Sequence, residues 1–258
     1  AAFMASLPRA RSTKIAGADL PRVALLGVIW VAIPLTLFPI AQQWVDSAVA
    51  GMLNGAMPMF TAIVASVLLR QLPGRLQILG LVVGFAGIMA IALPSAESGK
   101  TAAVGVILVL LATVAYGFST NIVAPLQQRY GSIPVMARVL WVGAALVTPY
   151  GLYGLGRSEF AWGSLAATMA VGFLGTGLAF VLMGSLVGSV GPTRSSFISY
   201  LIPVVALVLG VVFRGETISP LAVVGSLLVI AGAIFASRRE KKGKTRIDRR
   251  PDMADDAA

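Results

Sequence analysis

The chain alternates long apolar runs with short polar ones, and that alternation predicts its elements. Eight runs are long enough to span a membrane: about Leu20–Ala41, Val45–Leu69, Leu76–Leu93, Ala102–Ala124, Pro134–Leu155, Trp162–Gly188, Pro192–Phe213 and Ile218–Ala236. Each is near the roughly 20 residues that cross a hydrocarbon core as a helix. The loops between them are short, so sequential helices run antiparallel. After Ser237 the sequence RREKKGKTRIDRRPDMADDAA is charged and has no apolar period, as expected of a disordered tail. The opening AAFMASLPRAR is too short to span and lacks the build of a signal peptide; it reads as the end of a further helix. The expected fold is all-α, a polytopic membrane helical bundle.

The punctuation of these runs repeats. The stretch Pro192–Ser237 falls on Ser47–Ala92 when 145 is subtracted from each number. Pro203 lands on Pro58, Val212 on Val67, Leu221 on Leu76, Gly225 on Gly80, Ala231 on Ala86 and Gly232 on Gly87, without a gap. One helix earlier, Gly172 lands on Gly27. A proline-centred helix, a polar loop and a Gly-spaced helix therefore occur twice, as in transporters built from two related halves.

Charge orients the spans. Arg9, Arg11, Lys14, Arg22, Arg70, Arg75, Arg129, Arg138 and Arg194 fall on one side, and eight more Lys and Arg follow in the tail. Lys100, Arg157 and Arg214 fall on the other side, each close to an acid: Glu97, Glu159 and Glu216. The positive-inside rule makes the first side cytoplasmic, with the C-terminus on it. The spans holding Pro58 and Pro203 are five helices apart, so they cross in opposite directions and the halves are inverted. The expected units are a first repeat over residues 1–95, a second over 102–237 and a basic tail over 238–258. The second half starts near Ala103, so its counterpart is expected to start roughly forty residues before Ala1. The expectation is thus two inverted five-helix repeats, ten helices in all, of which about eight are visible here.

Composition narrows the function classes. The chain is 57% hydrophobic and 12% charged, against about 25% charged in soluble domains, and its mean hydropathy is +0.89. It has neither cysteine nor histidine, which removes disulfides, thiol catalysis and the usual zinc or haem ligands. No cofactor is expected. The net charge of +10 resembles that of a nucleic-acid binder, but it is carried by the tail and by loops on one side. It reads as a topology determinant facing anionic lipid headgroups.

Candidate substrate contacts come from polar groups inside the spans. Pro58 and Pro203 have no N–H to give the carbonyls of Asn54 and Ser199, themselves repeat counterparts. Either the freed carbonyls and polar side chains of Asn54 and Ser199 line a central cavity, with the prolines as hinges, or neighbouring helices satisfy them. The fourth span carries Tyr116, Ser119, Thr120 and Asn121. Tyr116 and Asn121 are candidates for binding substrate hydroxyls or amides, and Ser119 for holding helices together. Trp141, deeper than the interfacial Trp44 and Trp162, is a candidate cavity wall or a packing residue. Arg138, one turn before it, either attracts an anion or snorkels to headgroups. The glycines at 80, 84 and 87, and at 172, 175 and 177, suit close helix contact. Between Leu20 and Ala236 the acids are Asp46, Glu97, Glu159 and Glu216, all in outer loops. No visible span buries the carboxylate that proton coupling normally uses.

The segments AGMLNGAMPMFTAIVASVLLRQLPGRLQILGLVVGFAGIMAIA and SSFISYLIPVVALVLGVVFRGETISPLAVVGSLLVIAGAIFAS resemble the final two helices of EamA repeats, of the drug/metabolite transporter superfamily. The resemblance covers about residues 20–237. It implies two five-helix repeats, cytoplasmic termini and substrate passage between the halves. The family's loop glutamate is matched by Glu216, and its first-repeat counterpart here is Gln71. The implied function is an inner-membrane permease or exporter of small metabolites, amino acids or drugs, working by alternating access. A flippase of lipid-linked substrates on the same fold stays open as the alternative. A membrane enzyme or signalling scaffold ranks below both, because no catalytic constellation is visible. The expected partners are a small-molecule substrate, the lipid bilayer and a second copy in a homodimer, with no nucleic acid.

Overall fold

A computed structural model of the chain describes residues 13–68, 70, 74–97, 100–155, 160–179, 182 and 201–237. Among these, every regular element is helical. A short 3-10 turn (Gly17–Asp19) leads into α1 (Leu20–Leu26), a π-helical stretch π1 (Gly27–Ala32) and α2 (Ile33–Ala41). The second expected span is two helices, α3 (Ser47–Asn54) and α4 (Met57–Leu68). Then come α5 (Arg75–Glu97), α6 (Lys100–Tyr130), α7 (Ser132–Leu155), α8 (Trp162–Ala170) and π2 (Val171–Leu178). After the residues left undescribed follow α9 (Ile202–Arg214) and α10 (Pro220–Ser237). Among the described residues, five stretches are long and apolar enough to cross a membrane: Gly17–Ala41, Ser47–Leu68, Arg75–Pro94, Ala102–Tyr130 and Ser132–Gly154. The protein is a helical membrane bundle.

Proline explains where the helices depart from regularity. Pro34 opens α2 and cannot donate to Trp30, and the preceding turn widens to π geometry. Pro58 sits in the first turn of α4, and the chain breaks just ahead of it at Gly55–Ala56. Pro203 likewise lies in the first turn of α9. By contrast α6 is longer than its apolar run, passing through Pro125 to Tyr130. The helix starts keep the sequence offset: α4 and α9 begin at 57 and 202, α5 and α10 at 75 and 220, each pair 145 apart. π2 contains Gly172, the counterpart of the first residue of π1.

Two buried clusters hold the bundle. One joins α3, α4, α5, α6 and α10 through Met52, Leu53, Met59, Ile91, Val109 and Val229. The other joins α1, π1, α6 and α7 through Leu26, Val31, Leu126, Met136 and Val139. The tightest seam is the crossing of α5 with α10. Methyl groups built on Gly80 and Gly87 would lie 2.6 Å from the carbonyl oxygens of Gly232 and Gly225. These pairings show the helices antiparallel, and each pairing becomes the other when its members are exchanged across the 145 offset. Small residues let backbones meet here, where the hydrophobic effect gives helices no drive to associate. Of the glycines expected to do the same in the sixth span, Gly177 is buried, whereas among the described residues Gly172 has no neighbour within 4 Å and Gly175 meets only Val171 of its own helix. α8 and π2 are exposed along nearly their whole length, Phe173 and Leu174 included.

Candidate functional site

The broken span carries the central group of candidates. Asn54 ends α3, and Gly55 turns the chain with its N–H bonded to the oxygens of Gly51 and Met52 at 3.2 and 3.1 Å. A methyl group on Gly55 would collide with Pro203 of α9, so the break in one half abuts the proline of the other. Pro58 and Pro203 are both buried. The Asn54 side-chain oxygen Oδ1 is buried without a hydrogen-bond partner among the described residues. A buried amide oxygen that receives no donor costs about 1–3 kcal/mol. Ser199, its expected counterpart, lies outside the described residues.

α6 crosses beside this break. Gly117 presses on the backbone of Phe60 and Thr61, which sets the polar turn of α6 level with the first turns of α4. The Tyr116 ring stacks on Phe38 of α2, with centroids 6.1 Å apart and planes inclined by 26°. Its hydroxyl has no partner among the described residues. Asn121 donates through Nδ2 to the carbonyl of Thr61 at 3.0 Å and to that of Gly117 at 3.0 Å, so its amide ties α6 to α4. Ser119 is buried and returns its hydroxyl to the Ala115 carbonyl, and Thr120 returns its own to that of Tyr116. Trp141 lies elsewhere. It is 52% exposed, in an open apolar groove of about 490 Å³ between α1 and α7 with Leu20, Val23, Ala24, Arg138 and Val142. Arg138 is engaged by the carbonyls of Pro134 and Thr13 at 3.0 and 2.7 Å, which anchors it to backbone at that end of α7.

Two carboxylates organise the opposite ends of the bundle. At one end Asp19, 4% exposed, accepts from Arg22 at 3.0 Å, Arg129 at 3.1 Å and the Tyr130 hydroxyl at 2.8 Å. Sequence reasoning missed this residue, which sits one position before the first apolar run. Its available signal was the acid–base spacing of three in DLPR, a helical i, i+3 pair. At the other end Gly215, at φ 63°, ends α9 in the left-handed conformation that glycine adopts without penalty. That turn carries Glu216 to the first turn of α3. Its Oε1 accepts from the Ser47 N–H at 3.0 Å and hydroxyl at 2.5 Å, and its Oε2 from the Ala48 N–H at 2.8 Å. Arg214 Nε lies 3.1 Å from Oε1. Burial raises the Glu216 pKa, but the bonds from Ser47 and Ala48 and the Arg214 charge outweigh it and hold it below the usual 4.5. Asp46, beside it, is pushed above 3.8 by burial and by the Glu216 charge, against the pull of Arg214.

The described helices form a polytopic membrane bundle with a turn inside one span and an amide oxygen at that turn that has no partner among the described residues. The chain is a member of the EamA-like transporter family, whose profile matches residues 1–93 and 103–238. It is 31% identical to the probable terminal-alkyne amino-acid exporter of Streptantibioticus cattleyicolor, over 90% of this chain and 75% of that protein. It is 25% identical to the uncharacterized transporter YdfC of Bacillus subtilis, over 87% of this chain and 73% of that one. With the uncharacterized inner membrane transporter YedA of Escherichia coli K12 the identity is 28%, over 76% of this chain and 64% of that one. The protein is a membrane transporter of small molecules.

Proposed function

We propose that the protein is an inner-membrane exporter of small metabolites of the amino-acid class, moving them by rocking two inverted halves about a central site. The observation that carries this reading is the break at Gly55–Ala56, where the Asn54 side-chain oxygen is buried with no donor among the described residues and the neighbouring turn abuts Pro203. A substrate ammonium or hydroxyl supplies that donor. Broken helices near the middle of a transporter are where substrates bind. The site comprises Asn54, Tyr116, Asn121 and Ser199, with Pro58 and Pro203 as the flexible points; Trp141 stands apart from it in the α1–α7 groove. The repeat units are residues 1–95 and 102–237. The end bearing Asp19, Arg22, Arg129 and Arg138 faces the cytoplasm with the tail, and the end bearing Asp46 and Glu216 faces outward.

The name of the exporter in Streptantibioticus cattleyicolor supports the substrate class, and it puts terminal-alkyne amino acids first in the panel. The test is efflux from cells expressing the full-length protein, preloaded with labelled amino acids of graded side-chain size. Efflux that Asn54→Ala abolishes, at equal membrane abundance, is the expected result. Asn54→Ala that exports every panel compound at the native rate refutes the site. A panel from which nothing is moved by the native protein refutes the substrate class.

A further inference from the structure

We infer that Glu216 is a conformation-dependent cap: it closes the outer ends of α3 and α9 against each other, and Asp46 replaces it when they part. The inference rests on the two-half reading above and adds a positioning residue to it. The argument begins with the N-terminus of α3. The first turn of any helix leaves N–H groups without intrahelical partners, and an Asp just ahead of it is among the best residues to cap them. α3 has such a residue in Asp46, whose side chain makes no cap bond. The N–H groups of Ser47 and Ala48 go instead to Glu216, 169 and 168 residues away. The Glu216 side chain is only 7% exposed, whereas its partner Arg214 is 70% exposed.

A cap supplied by Asp46 would be indifferent to how α9 sits on α3. A cap supplied by Glu216 exists only while the loop after α9 is docked, so it stabilises one arrangement over another. The seam it closes is tight and antiparallel: methyl groups on Gly51 and Gly55 would strike Ala206 and Pro203, and one on Gly210 would lie 2.7 Å from Ala48. The charged groups around the contact, among the described residues, are Arg214 and Asp46. When the seam opens, Glu216 leaves, the repulsion on Asp46 goes with it, and Asp46 is in place to take the freed N–H groups. The exchange keeps the open arrangement within reach. The repeat counterpart of Glu216 is Gln71, which carries no charge for such a cap, so the charged device belongs to one end of the bundle.

The test uses the absence of native cysteine. Leu207→Cys on α9, packed against the first core, reports opening of the seam to a membrane-impermeant maleimide added outside cells. Val229→Cys in the α5–α10 crossing reports general loosening. Glu216→Gln is expected to raise labelling at 207 on the order of tenfold and to leave position 229 protected. Asp46→Ala added to Glu216→Gln is expected to bring labelling at 207 back down, because the open form then has no cap. Ser47→Ala, which removes one of the bonds to the carboxylate, gives a smaller rise and replaces Glu216→Gln should that variant not reach the membrane. Labelling at 207 unchanged by both Glu216→Gln and Ser47→Ala overturns the cap, as does an equal rise at 207 and 229. A rise that Asp46→Ala leaves untouched overturns the exchange. No substrate enters the assay, so its outcome is independent of whether any panel compound is transported.

Discussion

Replacing Gly232 by alanine adds one methyl group at the α5–α10 crossing. That carbon would stand 2.5 Å from Gly84 Cα and 2.6 Å from the Gly80 carbonyl oxygen, and it would strike the Gly84 N–H as well. All three are backbone atoms, so no rotamer change relieves the contact. Restoring ordinary contact moves the two helices apart by roughly 1 Å, and a gap of that size forfeits a quarter to a half of each dispersion contact it opens. Overpacking of this kind costs about 1–3 kcal/mol, against which alanine returns about 0.8–1.0 kcal/mol of helix propensity over glycine. The net expectation is a loss of up to about 2 kcal/mol, a fall in Tm of at most roughly 8 °C for a chain this size. Gly87→Ala meets the Gly225 oxygen and the Val229 nitrogen at 2.6 Å each and should lose about as much. Gly151→Ala, inside α7 and with no atom of the described residues within 4 Å, should hold or raise Tm. The assay is tryptophan fluorescence against temperature in one detergent for all three proteins. A Gly232→Ala protein that melts with or above Gly151→Ala refutes the close crossing.

Other outcomes follow from single contacts. Asn54→Leu removes a buried oxygen that has no donor among the described residues and should hold or raise Tm, read in the same melt, while efflux is lost. Asn121→Ala cuts the α6–α4 tie at Thr61 and should lower stability by about 0.6 kcal/mol, the average for such bonds in membrane proteins. With its pKa held below 4.5, Glu216 contributes stability that is fully present above that value and lost as pH falls through the folded pKa. Asp46, raised above 3.8, acts with the opposite sign: its ionisation costs the docked form, and protonation relieves that cost. Because both amides donate to Glu216 and not to Asp46, the protection factors of Ser47 and Ala48, with intrinsic exchange divided out, should hold at neutral pH and fall as pH drops through the folded pKa of Glu216. Loss of protection on alkalinisation instead would contradict the assigned bonds.

Much of this bundle was written locally. Apolar runs near the length of a bilayer fix where helices cross, because a backbone in hydrocarbon must bond within its own helix. The positions of Pro34, Pro58 and Pro203 fix where those helices widen, break or begin, because proline has no N–H to give. The 145-residue offset set the starts of α4, α5, α9 and α10. The run Val45–Leu69 reads as a single span carrying Pro58, and the structure keeps it as one crossing, Ser47–Leu68, with a turn at Gly55–Ala56. A glycine ahead of a proline leaves the preceding turn with neither side-chain packing nor a donor.

The candidate site was half legible. Polar residues inside apolar runs pointed to Asn54, Tyr116 and Asn121, but the same pattern could not tell an amide left open from one spent on a neighbour. The Asn54 side-chain oxygen has no partner among the described residues, and Asn121 bonds the Thr61 carbonyl of another helix. Trp141 shares the depth of these residues in the sequence and turns to the α1–α7 groove. Sequence alone determined that the chain is a series of apolar helices suited to a membrane, that their punctuation repeats and where proline interrupts them, because each follows from composition and spacing along the chain. Only the tertiary structure decided that Asp19 gathers two arginines and a tyrosine, and that Glu216 rather than Asp46 caps α3. All of those contacts but the local Asp19–Arg22 pair join residues more than a hundred positions apart, and their partners are chosen by how the helices pack.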